Sequence, residues 1–264
     1  MQRSSVQRVA LLRLCGFLAL LFLAACSTTS SRGIKRESAA DRREEAARAN
    51  TELGQRYMQQ GKLELALEKL NRALAADSDY VDAHTVVAVL YEQIGDEKQA
   101  EEHYRRASQL RQKGGAEANN YGTFLCKLRR YDEATGYFDR ALADPFYRTP
   151  EVALTNAGTC LVDSGKYVDA ERDLKLALSK NQNNVEALFQ MARLLYATND
   201  FFRARAFMQR FEAAAKPRPD ALLLARNIEL QLRNGEAARE YTRRLLQGFP
   251  ESPQARELDS KGAP

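Results

Sequence analysis

Along the chain the apolar positions fall into three regimes. Val9 to Ala25 is an apolar run broken only by Arg13, so that Leu14 to Ala25 by itself is twelve residues long. Residues 27–45 turn to Ser, Thr and Gly and then to a charged run, a composition with too little apolar surface to offset the entropy of ordering. From Ala47 onward small residues recur with a period of 34. Ala66, Ala100 and Ala134 keep it, as do Ala73, Ala107 and Ala141, Tyr57 and Tyr91, and Gly61 and Gly95, while Gly122 lies two periods after Gly54. After two extra residues the ladder resumes at Gly158, Gly165, Ala170 and Ala177, and Ala170 to Ala204 is 34 again. Small residues let two helices approach closely, so the period predicts stacked helix pairs, each with an apolar stripe that only a neighbouring pair can cover.

The pattern resembles the tetratricopeptide repeat, which places Leu-Gly and an aromatic on a first helix and two Ala on a second. It predicts an all-α chain, a right-handed superhelix of about six repeats over 46–252. The repeats fall near 47–80, 81–114, 115–150, 151–184 and 185–218, with a degenerate, shortened sixth at 219–252. In the first, Leu53, Gly54 and Tyr57 are expected to pack on Ala66, Leu70 and Ala73. Gly61, Gly95 and Gly165 fall where the first helix must stop and reverse, a position open to the left-handed conformation, and Asn199 fills it in the fifth repeat. Arg129 is the exception in the third. Between the third and fourth repeats Asp144 to Pro150 carries the two extra residues and two prolines, which predicts an exposed loop or a change of pitch. Residues 253–264 are expected to be a tail.

The first regime changes the picture at the amino terminus. Arg3 and Arg8 precede an apolar segment too short to span a bilayer comfortably, the order of a signal peptide, residues 1–25. It ends in Leu23-Ala24-Ala25-Cys26, which looks like the lipobox of bacterial lipoproteins, so Cys26 is the expected lipid attachment site and mature first residue. Residues 26–45 then read as a flexible tether. Ser27 in place of Asp favours the outer membrane, periplasmic face.

Composition adds little and removes much. Lys and Arg number 40 against 35 Asp and Glu, but the signal segment takes three arginines with it, leaving 37 against 35. That balance gives no clustered basic face and no case for nucleic acid. The only histidines are His84, read as a residue of the helix contact, and His103, read as part of a solvated face between Glu101-Glu102 and Arg105-Arg106. Neither belongs to a catalytic or metal motif. Adjacent carboxylates such as Glu44-Glu45 point to different sides of a helix. No cofactor, metal or small-molecule substrate is expected, and no enzyme. Cys126 and Cys160 lie on first helices of successive repeats. Two separate thiols are the expectation, with a disulfide in an oxidising compartment the alternative.

A repeat superhelix offers a groove instead, lined by positions two, five, nine and twelve of the first helices. The candidates are Arg48, Thr51, Gln55, Met58, Asp82, Thr85, Val89 and Glu92, then Asn119 and Thr123, with Cys126, Thr155, Thr159, Val162, Phe189, Arg193 and Tyr196 continuing the register. Asn120 and Asn156 share the sixth position, where an amide could hold a peptide backbone or bond helix to helix. The lining lacks the ordered Lys and Arg set of carboxylate-clamp repeats, so it suits an extended segment or a helix of a protein partner.

Asn119-Asn120-Tyr121-Gly122-Thr123-Phe124-Leu125-Cys126 resembles a signature of the type IV pilus biogenesis lipoproteins called PilF or PilW, the pilotins of the pilus secretin. Arg130-Tyr131-Asp132-Glu133-Ala134, Pro145 to Pro150, Leu222-Leu223-Leu224 and Phe249-Pro250-Glu251-Ser252 continue the likeness. The resemblance implies an outer-membrane lipoprotein that escorts secretin subunits and promotes their multimerisation, with Arg48 to Val89 as the first place to look for the secretin contact. A periplasmic repeat scaffold serving another envelope assembly or an envelope enzyme is the alternative.

Overall fold

The computed structural model describes residues 38–260, and over them the chain runs through thirteen helices joined by short turns. Six antiparallel pairs follow one another: α1 (Ala39–Gln59) with α2 (Leu63–Ala76), α3 (Val81–Ile94) with α4 (Glu97–Leu110), α5 (Gly115–Lys127) with α6 (Tyr131–Ala143). Then come α7 (Pro150–Asp163) with α8 (Tyr167–Lys180), α9 (Val185–Ala197) with α10 (Phe201–Ala214), and α11 (Pro219–Gln231) with α12 (Gly235–Gly248), before a closing α13 (Pro253–Ser260). The repeat array lies within one unit, residues 43–264, and Ser38 to Arg42 fall in the preceding one.

Each pair is built around one close approach. Gly54, Gly122 and Gly158 sit where an added Cβ would come within 2.7 Å of Leu70, 3.1 Å of Phe138 and 2.6 Å of Leu174. Ala88 faces the second helix in the same way beside Tyr104, and Ala192 beside Met208. One turn before the large residue, Ala66, Ala100, Ala134, Ala170, Ala204 and Ala238 are all buried. The sixth pair looks degenerate because it exchanges the sizes: Arg226 stands at the glycine position and Thr242 at the large one, and the Arg226 Nε donates to Thr242 Oγ1 at 3.0 Å. It is a full-length pair, not a shortened one. Leu53, expected in the first pair's contact, is 41% exposed, and Gly54 and Tyr57 make the approach instead.

Turns and ends are set by side chains at few positions. Asp96, Asn184, Asp200 and Asn234 cap the N-termini of second or first helices by accepting from the N–H three residues on, at 3.1–3.3 Å. Pro150, Pro219 and Pro253 open α7, α11 and α13, where a missing N–H costs nothing. The insertion between the third and fourth repeats is a loop whose Phe146 is 87% exposed. Asp144 anchors it, accepting from Gly115 N at 2.8 Å and Phe146 N at 2.9 Å, and Tyr147 covers Gly115.

Four further expectations are corrected. The segment expected to be a tether up to residue 45 is helical from Ala39, because Ser38 and Asp41 form a reciprocal cap: Asp41 N donates to Ser38 Oγ at 3.0 Å and Ser38 N to Asp41 Oδ2 at 2.9 Å. Residues 253–260 are helix rather than tail, since Ala255 and Leu258 bury themselves against Leu222 and Leu245 and cover the open end of the last pair. Cys126 and Cys160 are a disulfide, with Cα atoms 5.7 Å apart. His103 is half-buried, its Nδ1 2.9 Å from that of His84 and its ring 5.8 Å from that of Tyr91.

Candidate peptide-binding cleft

The first helices of successive repeats pack side by side, α5 on α7, α7 on α9 and α9 on α11, and form one continuous wall. Polar bridges hold their register. Asn156 Nδ2 donates to Asn119 Oδ1 at 3.0 Å and Thr123 Oγ1 at 3.2 Å, and Asn184 Nδ2 donates to Thr155 Oγ1 at 2.9 Å. The threonine hydroxyls in turn donate to carbonyls four residues back, Thr123 to Asn119 and Thr155 to Glu151. Of the two roles open to Asn156, the structure shows the helix-to-helix one.

At the carboxyl ends of these helices the wall opens into a cleft of about 580 Å³. Cys126 and Lys127 of α5, Val162 and Asp163 of α7, Arg193 and Tyr196 of α9 and Leu224 of α11 line it, with Arg129 from a turn and Tyr131 and Tyr167 from the first turns of α6 and α8. The disulfide reaches the cleft through Cys126 alone, Cys160 being buried. Arg193 is held by Asp163 at 2.9 Å and donates to Gln190 Oε1 at 2.7 Å, and Lys127 pairs with Glu92. Such a lining offers tyrosine faces for apolar side chains, positive charge for carboxylates, and open access from the third repeat to the sixth. It suits a segment of polypeptide in extended form.

The residues expected to line the groove are distributed differently. Cys126, Val162, Arg193 and Tyr196 line the cleft, while none of Arg48, Thr51, Gln55, Met58, Asp82, Thr85, Val89, Asn119, Asn120, Thr123 and Asn156 does. Thr51 and Asn119 are withdrawn as lining residues, because both are buried, the one donating to Ala47 O at 2.8 Å, the other accepting from Asn156. Phe189 and Thr155 are buried as well, and the Arg218 guanidinium lies 4.0 Å over the Phe189 ring. Arg48 is exposed between Glu45 and Glu52, Asp82 is exposed 3.7 Å from Arg111, Gln55 and Val89 are exposed, and Met58, Thr85, Asn120, Thr123 and Asn156 are half-buried. Position counting missed Lys127, the last residue of α5, and Arg129, Tyr131 and Tyr167, which come from a turn and from the starts of second helices. The absent glycine at Arg129 was the one signal in the sequence. A further hollow of about 680 Å³ lies beside the insertion loop, between Arg111 to Gly114 and Asp144 to Phe146. Cys26 lies outside the described residues. Among the described residues no helix is long and apolar enough to cross a membrane, and no three His, Cys, Asp or Glu side chains converge as a metal site requires.

Helix pairs in a 34-residue period, stacked into a wall with an open cleft, define a tetratricopeptide-repeat protein, a fold that binds other proteins. Family models described as TPR repeat or tetratricopeptide repeat match residues 54–95, 81–113 and 161–228. The crystal structure of PilW, a widely conserved type IV pilus biogenesis factor, is 31% identical, with a TM-score of 0.75 over 80% of this chain and 97% of that one. The type IV pilus assembly protein PilF of Pseudomonas aeruginosa is 29% identical over 83% of this chain and 87% of its own length. A solved PilF structure from the same species superposes with a TM-score of 0.71, at 29% identity, over 83% of this chain and 99% of that one. The chain belongs to the family of type IV pilus biogenesis factors that PilW and PilF represent.

Proposed function

We propose that the protein is a non-enzymatic, lipid-anchored pilotin of the outer membrane, which binds the type IV pilus secretin and promotes its targeting and multimerisation. The observation that carries this reading is an open, peptide-sized cleft on a fold shared with PilW along 80% of the chain. Two features support it. Leu23 to Cys26 is spaced for lipid attachment after an apolar segment. The Cys126–Cys160 disulfide suits an oxidising compartment such as the periplasm. A lipid-tethered groove that holds an assembling pore subunit gives that subunit a membrane address and raises its local concentration there, and binding alone does this.

A deletion strain and a Cys26→Ala strain test the reading together. Loss of secretin multimers and surface pili, with monomeric secretin persisting, is expected on deletion. Cys26→Ala is expected to misplace both the protein and the secretin captured with it. Unchanged multimers in the deletion strain overturn the proposal, and capture of another envelope machine without secretin supports the other scaffold reading.

A further inference from the structure

The turn that closes the first helix is made the same way in all six repeats. One residue takes a positive φ: Gly61 at 72°, Gly95 at 82°, Arg129 at 61°, Gly165 at 77°, Asn199 at 63° and Arg233 at 58°. Its N–H and the next one bond back to the helix; in the third repeat Arg129 N donates to Cys126 O and Arg130 N to Leu125 O, both at 2.9 Å. The backbone alone completes this motif, so the side chain adds nothing to it. Glycine occupies such a position without a steric penalty and asparagine tolerates it, whereas arginine crowds its Cβ against the backbone. Arginine stands there twice, at 129 and 233, so the strain marks both positions and only the surroundings of each can assign a use.

At position 129 the surroundings are those of a binding site. Arg129 is exposed and lines the cleft. Lys127 pairs with Glu92, and Arg193 with Asp163; among the described charged residues of the lining, Arg129 is the one without an ion pair or hydrogen bond from its side chain. Three cations against Asp163 leave the lining positive. A guanidinium presents a planar fork that matches a carboxylate with two parallel hydrogen bonds.

We infer that Arg129 is the anchor for a side-chain carboxylate on an extended, acidic segment of the protein partner, laid across the cleft of the third to sixth repeats between its tyrosine faces. The inference rests on the proposed function and names the chemistry of the segment it holds. Arg233, equally strained but outside the cleft lining, is its internal control.

Full-length Arg129→Gly, Arg129→Glu and Arg233→Gly are compared with wild type by thermal melting and by titration against purified secretin at low and high NaCl. Both glycine variants are expected to melt at or above wild type, since glycine relieves the positive φ. Arg129→Gly should bind about tenfold more weakly, the scale of one charge-assisted hydrogen-bonded contact, with a flatter salt dependence. Arg129→Glu should bind more weakly still, and Arg233→Gly like wild type. If wild type binds secretin and Arg129→Gly binds equally well, the inference falls alone. If Arg129→Gly melts lower than wild type, the arginine serves the fold and the inference falls. A wild-type chain that binds no secretin, or only a second copy of itself, overturns the proposed function and this anchor with it.

Discussion

His84 and His103 show how much a single residue's environment can hide from its neighbours in sequence. His84 is buried, and its Nε2 lies 3.0 Å from Ser78 O, which can only accept. Nε2 therefore carries the proton, the neutral ring's Nδ1 accepts, and His103 donates to it from its own Nδ1. Burial lowers the pKa of both below the ordinary 6.5; Arg106 pushes His84 further down and a charged His84 does the same to His103, while Asp77, Asp79 and Glu102 oppose it. With folded values below unfolded ones, the folded state binds fewer protons. The pair's stabilisation is complete above about pH 6.5 and is lost as pH falls towards the depressed folded values, by at most about 1.4 kcal/mol per pH unit for each ring. Urea midpoints measured from pH 7.5 to 5 should fall for wild type and fall less for His84→Gln/His103→Gln; equal slopes would refute the account. The role of His84 in the helix contact was readable from its place in the repeat. The burial of His103 was not, because the charged residues that flank it, Glu101-Glu102 and Arg105-Arg106, give no sign that its ring meets His84 and Tyr91.

Among the elements, the helix pairs were legible because their contacts repeat. One close approach recurs as Gly54 with Leu70, Gly122 with Phe138 and Gly158 with Leu174, and a pattern of small residues at fixed spacing reports it without reference to any one pair. The same geometry separates glycines that packing requires from those it does not. A Cβ at Gly158 would come within 2.6 Å of Leu174 Cγ, whereas one at Gly136, in the middle of α6, meets nothing within 4 Å. Gly158→Ala is expected to cost about 1–3 kcal/mol through forced repacking. Gly136→Ala should add about 0.5–1 kcal/mol by removing backbone freedom from the unfolded chain. Chemical denaturation of the two variants checks both signs at once. Where repetition lapses, reading by period fails: the Arg226 and Thr242 exchange disguised a sound sixth pair, and α13 has no counterpart in any repeat. The cleft failed for the same reason. Its distinctive residues, Arg129, Tyr131 and Tyr167, lie at turns and second-helix starts, outside the first-helix positions that define a generic groove.

On the scale of the whole array, each repeat touches only its neighbours, so stability is a sum of pair terms and seam terms. The seams are held by buried apolar clusters that run from one repeat into the next, and ion pairs between partly exposed side chains, such as Arg106–Asp79, Arg130–Glu101 and Arg203–Glu171, add little to them. The third seam is different, because it alone carries the disulfide. Its separation of 34 suggests equivalent positions, but the two-residue insertion makes Cys126 the twelfth residue of its repeat and Cys160 the tenth. That offset is why sequence could not decide the bond: which side chains meet across two packed helices depends on how the insertion shifts one repeat along the other. The bond closes a loop that contains α6 and the Asp144–Pro150 loop, the place where the period is interrupted. Breaking it should cost about 2–4 kcal/mol by releasing that loop in the unfolded chain. Because coupling is local, the loss should not spread evenly. Amide exchange in the Cys126→Ala/Cys160→Ala variant is expected to quicken in α5 to α8 while α1, α2, α11 and α12 keep wild-type rates, and the cleft, which shares this seam, should lose affinity with it. Uniformly faster exchange along all six pairs would show instead that the array unfolds as one body and that the disulfide is not a local clamp.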